Sequence, residues 1–521
     1  MSAKPMSPLR WIVAVAVLIL IVAVLINERN QAPSAPPAAT TDTTETPAVS
    51  VPDVDPELDP IPPLTTLQSI DRDKAPARRV LDLQHWTTAE GARVYFMQAS
   101  ELPMLDLQLL FAAGASRDGE LPGLATLVNG MLNEGAAGLD SGEIAAGFEN
   151  LGAEFENSSH RDMALVSVRS LTAADKLDPA LALFAQVVSQ PDFPEDAYQR
   201  LRNQLLAGLQ FRLQSPAAQA SEAFWSGLYG NHPYASLPEG QPESLAEITP
   251  KHLRAFHEQY YSAGNAVISL VGDVDRQQAE RIAARLSSAL PEGPAAPAVT
   301  EPEPIQSARR HVDFDSQQTH IMLGQLGVSR SAEDYPALYV GNQILGSGFG
   351  SRLMEEIRET RGLSYSVSSN FSPMQATGPF VINMQTRTDQ VEQALEVINT
   401  TLDGFIEEGP TEAELIRSKR QIMGEFPLST ASNSAIVSQL GMIGFYNLPL
   451  NHLQLFLDQV EKLTVEDVRS AFQRHLSKEQ RLIVTVGQPL PEPEVEADQE
   501  MSAEDAPAEP TSDAATEAPE A

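Results

Sequence analysis

Gly114-Ala-Ser-Arg117 and Gly327-Val-Ser-Arg330 are one phrase met twice, 213 positions apart. Continued without gaps, the match takes in Glu120/Glu333, Asn129/Asn342, Leu132/Leu345 and Gly135/Gly348, seven identities in 22 positions. Farther along, Ile248-Thr249 through Val271-Gly272 resembles Leu463-Thr464 through Val486-Gly487 at an offset of 215. Near-equal offsets at both ends of so long a stretch mark a duplicated unit. Between the copies, residues 291–305 hold five prolines, a composition that interrupts regular structure. The chain therefore reads as two homologous domains, 75–290 and 306–488, joined by a Pro-rich linker at 291–305.

Two periodicities alternate within each copy. Residues 105–111, 266–271, 320–323 and 482–486 are short apolar runs that read as strands. Residues 144–151, 196–214, 390–408 and 412–425 carry apolar side chains at helical spacing. Strands and helices do not follow a strict βαβ order, so the expected class is α+β, with each domain's helices packed on a mainly antiparallel sheet. Phe224, Trp225 and Tyr229 read as core, and Asn157-Ser-Ser-His-Arg-Asp162 as a solvated surface segment.

Composition narrows the function classes. The chain has 521 residues, a formal net charge of -35 and no cysteine. So acidic a body is a poor match for nucleic acid, whose phosphates need a basic face. Without cysteine there are no disulfides, thiolate zinc sites, iron–sulfur clusters or cysteine nucleophiles. Among the nine histidines no pair is three or four apart, so none can share a metal from one helix face.

The ends differ from the body. Lys4 and Arg10 precede an unbroken apolar run over residues 11–26. Sixteen helical residues span about 24 Å, close to the hydrocarbon thickness of a bilayer, and basic residues before the run keep the N-terminus cytoplasmic. Residues 1–30 thus read as a cytoplasmic N-terminus and transmembrane signal anchor, with a cleaved signal peptide as the alternative. Residues 32–63 hold nine prolines and no Lys or Arg, so 31–74 reads as a disordered tether. Residues 489–521 hold eleven acidic residues and no basic one, an acidic disordered tail.

Four stretches carry a family resemblance: Gly114-Ala-Ser-Arg-Asp-Gly-Glu-Leu-Pro-Gly-Leu-Ala-Thr-Leu-Val-Asn-Gly-Met-Leu132; Phe193-Pro194 to Ser215-Pro216; Tyr229-Gly-Asn-His-Pro-Tyr234; and Leu345-Gly-Ser-Gly-Phe-Gly-Ser-Arg-Leu353 to Tyr365-Ser-Val367. In this order and spacing, along residues 90–487, they resemble the insulinase/pitrilysin peptidases, including mitochondrial processing peptidase subunits and bacterial two-domain relatives. Active members carry an inverted zinc motif, H-x-x-E-H, in which two imidazoles one turn apart share the metal and the glutamate is general base. The matching positions here are Thr126, Asn129 and Gly130, and the downstream glutamate ligand falls on Gly208. Neither zinc nor any other cofactor is therefore expected on this chain, which should be inactive as a peptidase alone.

The resemblance implies a second site in the C-terminal copy. Arg358 and Tyr365 stand seven residues apart, as in the family's substrate-binding Arg/Tyr pair, where Arg binds a substrate carbonyl and the Tyr hydroxyl stabilises the oxyanion. A helix-terminal arginine and a sheet-packed tyrosine are the plainer reading of the same two residues. The loop Gly346-Ser-Gly-Phe-Gly-Ser351 lies beside the substrate chamber in related chains, with Gly346 and Gly348 as its contacts to peptide; a tight turn is the alternative. Members that work as heterodimers divide the machinery in this way. The implied partner is an H-x-x-E-H subunit holding the zinc, the substrates are peptides, and the setting is a bacterial inner membrane with the body in the periplasm. A non-enzymatic scaffold or peptide-binding protein of the same fold remains the alternative.

Overall fold

Seven consecutive residues, Ala266–Gly272, are all buried, and a strand achieves that only when both faces of its sheet are covered. In the computed structural model, which describes residues 80–490, this strand lies inside a six-stranded sheet. The strands are β1 (Gln84–Thr87), β2 (Arg93–Gln98), β3 (Met104–Phe111), β4 (Glu154–Ser159), β5 (Ala164–Leu171) and β6 (Ala266–Gly272), in the spatial order β1-β2-β6-β3-β5-β4. A second sheet contains β7 (Ala308–Asp313), β8 (Gln318–Leu326), β9 (Val367–Phe371), β10 (Pro379–Arg387) and β11 (Leu482–Gly487), in the order β9-β10-β8-β11-β7. Within these two sheets, parallel pairing occurs only between β2 and β6 and between β11 and β7. With β1 set aside the two sheets share one strand order and one parallel pair, so the duplicated sequence is a duplicated topology.

Helices of eight residues or more are α1 (Leu124–Met131), α2 (Ser141–Leu151), α3 (Ala174–Ser189), α4 (Glu195–Leu213), α5 (Pro216–Tyr229), α6 (Pro250–Tyr260) and α7 (Arg276–Ala289) in the first half. The second half has α8 (Tyr335–Leu345), α9 (Val391–Glu408), α10 (Glu412–Glu425), α11 (Asn433–Phe445), α12 (His452–Lys462) and α13 (Val465–His475). The class is α+β, as the sequence implies.

The alternation along β6 explains how both faces are covered. Ala266, Ile268 and Leu270 enter a core with their own half's helices. Val267 and Val271 point the other way, onto Ile436, Val437, Leu440 and Ile443 of α11 from the second half. The exchange is reciprocal. Leu482, Val484 and Val486 of β11 pack against Ala220, Phe224 and Leu228 of α5 from the first half. Both lent helices start alike: Ser215 Oγ accepts from the Ala218 amide at 3.3 Å and Ser432 Oγ from the Ala435 amide at 3.1 Å. Each large apolar side chain so buried contributes roughly 1.5–3 kcal/mol, so the two halves hold each other's sheets closed.

Two expectations are corrected, on the segment 157–162 and on Trp225. Residues 291–305, the linker, form neither helix nor strand and are strapped down along their length. Pro291 O accepts from the Ala263 amide at 3.0 Å, Pro297 O from Arg117 at 2.6 Å, and Glu301 Oε2 from the Thr377 amide at 2.9 Å. Asn157–Asp162 is no solvated segment: Asp162 is buried, accepting from the hydroxyls of Tyr234 and Tyr446 and from the Gln375 amide. Those partners lie in both halves, which the sequence pattern could not bring together. Trp225 is only partly buried while Phe224 and Tyr229 are core; one face of α5 meets solvent where the lent helix leaves β11. The anchor at 1–30, the tether at 31–74 and all but the first two residues of the tail at 489–521 lie outside the described residues. Among the described residues no helix is long and apolar enough to cross a membrane.

Candidate functional site

Helix α1, which carries the degenerate motif, begins at a turn that Gly123 makes with φ of 98°. Its first amides are held by Asp118, whose oxygens accept from Gly123 N at 2.8 Å and Ala125 N at 2.7 Å. Burial raises the Asp118 carboxyl to about 7, against the pull of those two amides. Because the folded value lies above the roughly 3.9 of an unfolded Asp, ionisation costs more in the folded chain, and the stability present at low pH is lost as pH rises from about 4 to 7. Asp118→Asn should flatten this part of the pH profile of the urea midpoint, while losing an acceptor worth about 1–2 kcal/mol.

The three motif positions have become structural. Thr126 donates its hydroxyl to Pro238 O at 2.6 Å. Asn129 is 3% exposed, its side-chain nitrogen reaching Leu165 O and Tyr261 Oη, both at 3.4 Å, while its backbone carbonyl accepts from the Asn157 side chain at 2.6 Å. Gly130 faces Leu201 of α4, whose Cδ2 lies 3.2 Å from where a Cβ would sit. Gly208, also on α4, is exposed with open space about it. A hydroxyl, an amide and two glycines offer zinc no imidazole or carboxylate, and among the described residues no three His, Cys, Asp or Glu side chains cluster to hold a metal. These residues do not fit the family's zinc. Asn129→Ala should cost about 1–3 kcal/mol, through a lost hydrogen bond and an unsatisfied Tyr261 hydroxyl, read as a lowered urea midpoint.

In the second half, α8 ends in the glycine loop. Gly346 is buried: its carbonyl accepts from the Ser369 amide at 2.9 Å, and an added Cβ would come within 2.3 Å of Ser369 Oγ. Gly346 thus docks the loop on β9 and presents nothing to a ligand, a correction to the expected peptide contact. Gly348 has φ of 106° and open space beside it. That left-handed turn favours glycine and carries Phe349 outward, 79% exposed. Ser351 closes the loop by donating to Gly348 O at 2.8 Å.

The chain then makes a helical turn, Arg352–Met354, that widens into a π-turn at Glu355–Thr360. Arg352 fixes its start to α10 by a two-pronged pair with Glu414, both contacts at 2.8 Å; Arg352 holds the Glu414 carboxyl down at about 2. Gly362, φ 61°, ends the turn, its amide donating to Arg358 O at 3.1 Å. Such π-turns gather at functional sites. This one brings Arg358 beneath Tyr365, the guanidinium carbon 4.7 Å from the tyrosine ring centre and 5.6 Å from that of Phe349. Glu359 meets Arg358 Nε at 3.4 Å. Tyr365 precedes β9 and is 80% exposed, so it does not pack in the sheet. Phe349 was legible only as one ring between two glycines, Gly-Phe-Gly, a pattern that forces a bulky side chain outward.

Comparison with known proteins agrees with this layout. The family description Insulinase (Peptidase family M16) matches residues 97–236, and Peptidase M16 inactive domain matches residues 247–422. A solved structure from Pseudomonas fluorescens, described as a peptidase M16 inactive domain, is 50% identical with a TM-score of 0.77, covering 79% of this chain and 98% of that one. A Helicobacter pylori protein named non-peptidase homolog YmxG is 28% identical over 383 residues, 72% of this chain and 87% of its own length. An uncharacterized zinc protease of Mycobacterium bovis is 30% identical over 301 residues, 57% of this chain and 68% of its own. With its paired sheets, its degenerate motif on α1 and these relatives, the chain belongs to the insulinase, or M16, peptidase family, as an inactive member without the zinc-binding residues.

Proposed function

We propose that this chain is the non-zinc subunit of a heterodimeric M16 peptidase. It supplies the Arg/Tyr half of a chamber whose zinc and general base sit in an H-x-x-E-H partner. The observation that carries this reading is a contrast. Motif positions on α1 have been absorbed into hydrogen bonds and packing, while Tyr365 stands exposed over a half-buried Arg358, on a turn anchored by Arg352–Glu414. A core-bound tyrosine would not need such a platform. Arg358 would hold a carbonyl of the bound peptide, and the Tyr365 hydroxyl would donate to the developing oxyanion. In the same proposal residues 1–30 anchor the chain in the inner membrane, 31–74 space it from the surface, and the body works in the periplasm.

The test is to purify the full chain from its native membrane and identify by mass what accompanies it in stoichiometric amount. An M16 relative with an intact H-x-x-E-H motif is the expected result. The name non-peptidase homolog carried by the Helicobacter pylori relative favours the second reading, a scaffold. Only unrelated envelope proteins, or none, would point there.

A further inference from the structure

Beside the vacated metal positions lies a cavity of about 230 Å³ that the zinc chemistry leaves unexplained. Arg161, on the turn between β4 and β5, and Arg212, in the last turn of α4, both line it, with Trp225 of α5 and the segment 235–239. It adjoins α1, since Thr126 donates to Pro238 O.

The two arginines are poorly neutralised. Arg161 stacks on Trp225, its guanidinium carbon 3.8 Å from the ring centre, and donates to Ser236 O at 2.6 Å. Burial brings its pKa down to about 10; the carboxylates of Glu239 and Asp162 act on it only at a distance, and the charge of Arg212 opposes it. A desolvated guanidinium without a bonded carboxylate is a costly thing to keep. Arg212 reaches Glu239 at 3.8 Å, the outer limit of an ion pair, and its Nε is buried without a partner. Two such guanidiniums, one of them over an indole face, with Leu237 and Pro238 in the same lining, suit a carboxylate attached to an apolar body. The volume is below the roughly 300–1,000 Å³ of drug-sized pockets, which leaves room for one residue and not a chain.

We propose that this cavity binds the C-terminal residue of a peptide, its carboxylate between Arg161 and Arg212 and its side chain against Trp225, Leu237 and Pro238. Glu222 and Glu239, also in the lining, turn away a second negative charge. Glu239 is the weak place-holder that the ligand displaces from Arg212. Neither the partner subunit nor Tyr365 takes part, so this site and the subunit reading fail separately.

The experiment is calorimetric titration of the full-length chain with N-acetyl-Ala-Leu, as the free acid and as the C-terminal amide, followed also by tryptophan emission, with Trp225→Phe identifying the part that belongs to the cavity. The acid is expected to bind and the amide not. Arg212→Gln should weaken the acid about tenfold or more, and Glu239→Gln should tighten it. Arg161→Gln tests the guanidinium stacked on Trp225, with circular dichroism to check its fold; Arg212→Gln keeps the test decisive if Arg161→Gln unfolds. Equal binding of acid and amide, no binding by roughly 10 mM, or indifference to Arg212→Gln would overturn the proposal. So would inorganic phosphate competing as well as the dipeptide, which would make this a general anion site.

Discussion

Tyr365→Phe, in the heterodimer we propose, is expected to lower kcat by about 10²–10³ with little change in KM. The substitution removes only the hydroxyl. Phenylalanine keeps the ring over Arg358, so the platform made with Phe349 survives. A donor aimed at an oxyanion acts in the transition state and is worth about 2.7–4 kcal/mol, whereas binding of the ground-state peptide needs it little. Stability should not move, because a side chain 80% exposed has few contacts to lose. Steady-state hydrolysis of a peptide by the purified pair, wild type against variant, reads the effect. A kcat within a factor of two of wild type would take Tyr365 out of the chemistry and leave Arg358 as a grip alone.

Gly444→Leu is expected to abolish the native fold. Helix α11 lies so close to the first half's sheet that a Cβ at Gly444 would stand 2.5 Å from Val267 Cγ1 and 2.6 Å from Tyr95 Cε2. Gly444 O also accepts from Arg93 at 2.8 Å, so the helix cannot slide away without losing that bond. Overpacking costs typically about 1–3 kcal/mol for small insertions; a whole leucine pushed into β2 and β6 exceeds that. Gly444→Ala is the milder probe. Alanine would gain up to about 1 kcal/mol of helix propensity, yet the clash should still leave it less stable than wild type. Gly424, on α10 with nothing within 4 Å of its Cβ direction, is the control, and Gly424→Ala should be stabilised by about 0.5–1 kcal/mol. Urea midpoints compare the three. A Gly444→Ala variant as stable as Gly424→Ala would mean that α11 does not lie where it is described.

Much of this architecture was legible. The repeated Gly-x-Ser-Arg phrase marks the segment that follows β3 and the one that follows β8, the same place in each half. Helix α10 runs over Glu412–Glu425, as its periodicity indicates, because an amphipathic stripe with a Thr411 cap is a local property. The exchange of α5 and α11 was not legible. Their apolar faces announce burial but not the sheet that receives them, since periodicity encodes a face and never a partner. The same limit hid the burial of Asp162, whose partners sit 72, 213 and 284 residues away. It also hid the two arginines around Trp225, each of which reads alone as a solvated charge. The spacing of Arg358 and Tyr365 was visible, but their stacking depends on a π-turn that no periodicity gives.

The lending of helices has a consequence for how the chain is made. Once β6 leaves the ribosome, the first half has every strand of its sheet but not the helix that covers the far face. Phe445, the end of α11, follows Gly272 by 173 residues. At about 5–20 residues per second, Tyr95, Met97, Leu110, Val267 and Val271 stay open to solvent for roughly 10–35 s. Over that interval the nascent chain shows an apolar surface of the kind holdase chaperones bind, so pauses in translating residues 273–445 should raise its dependence on them.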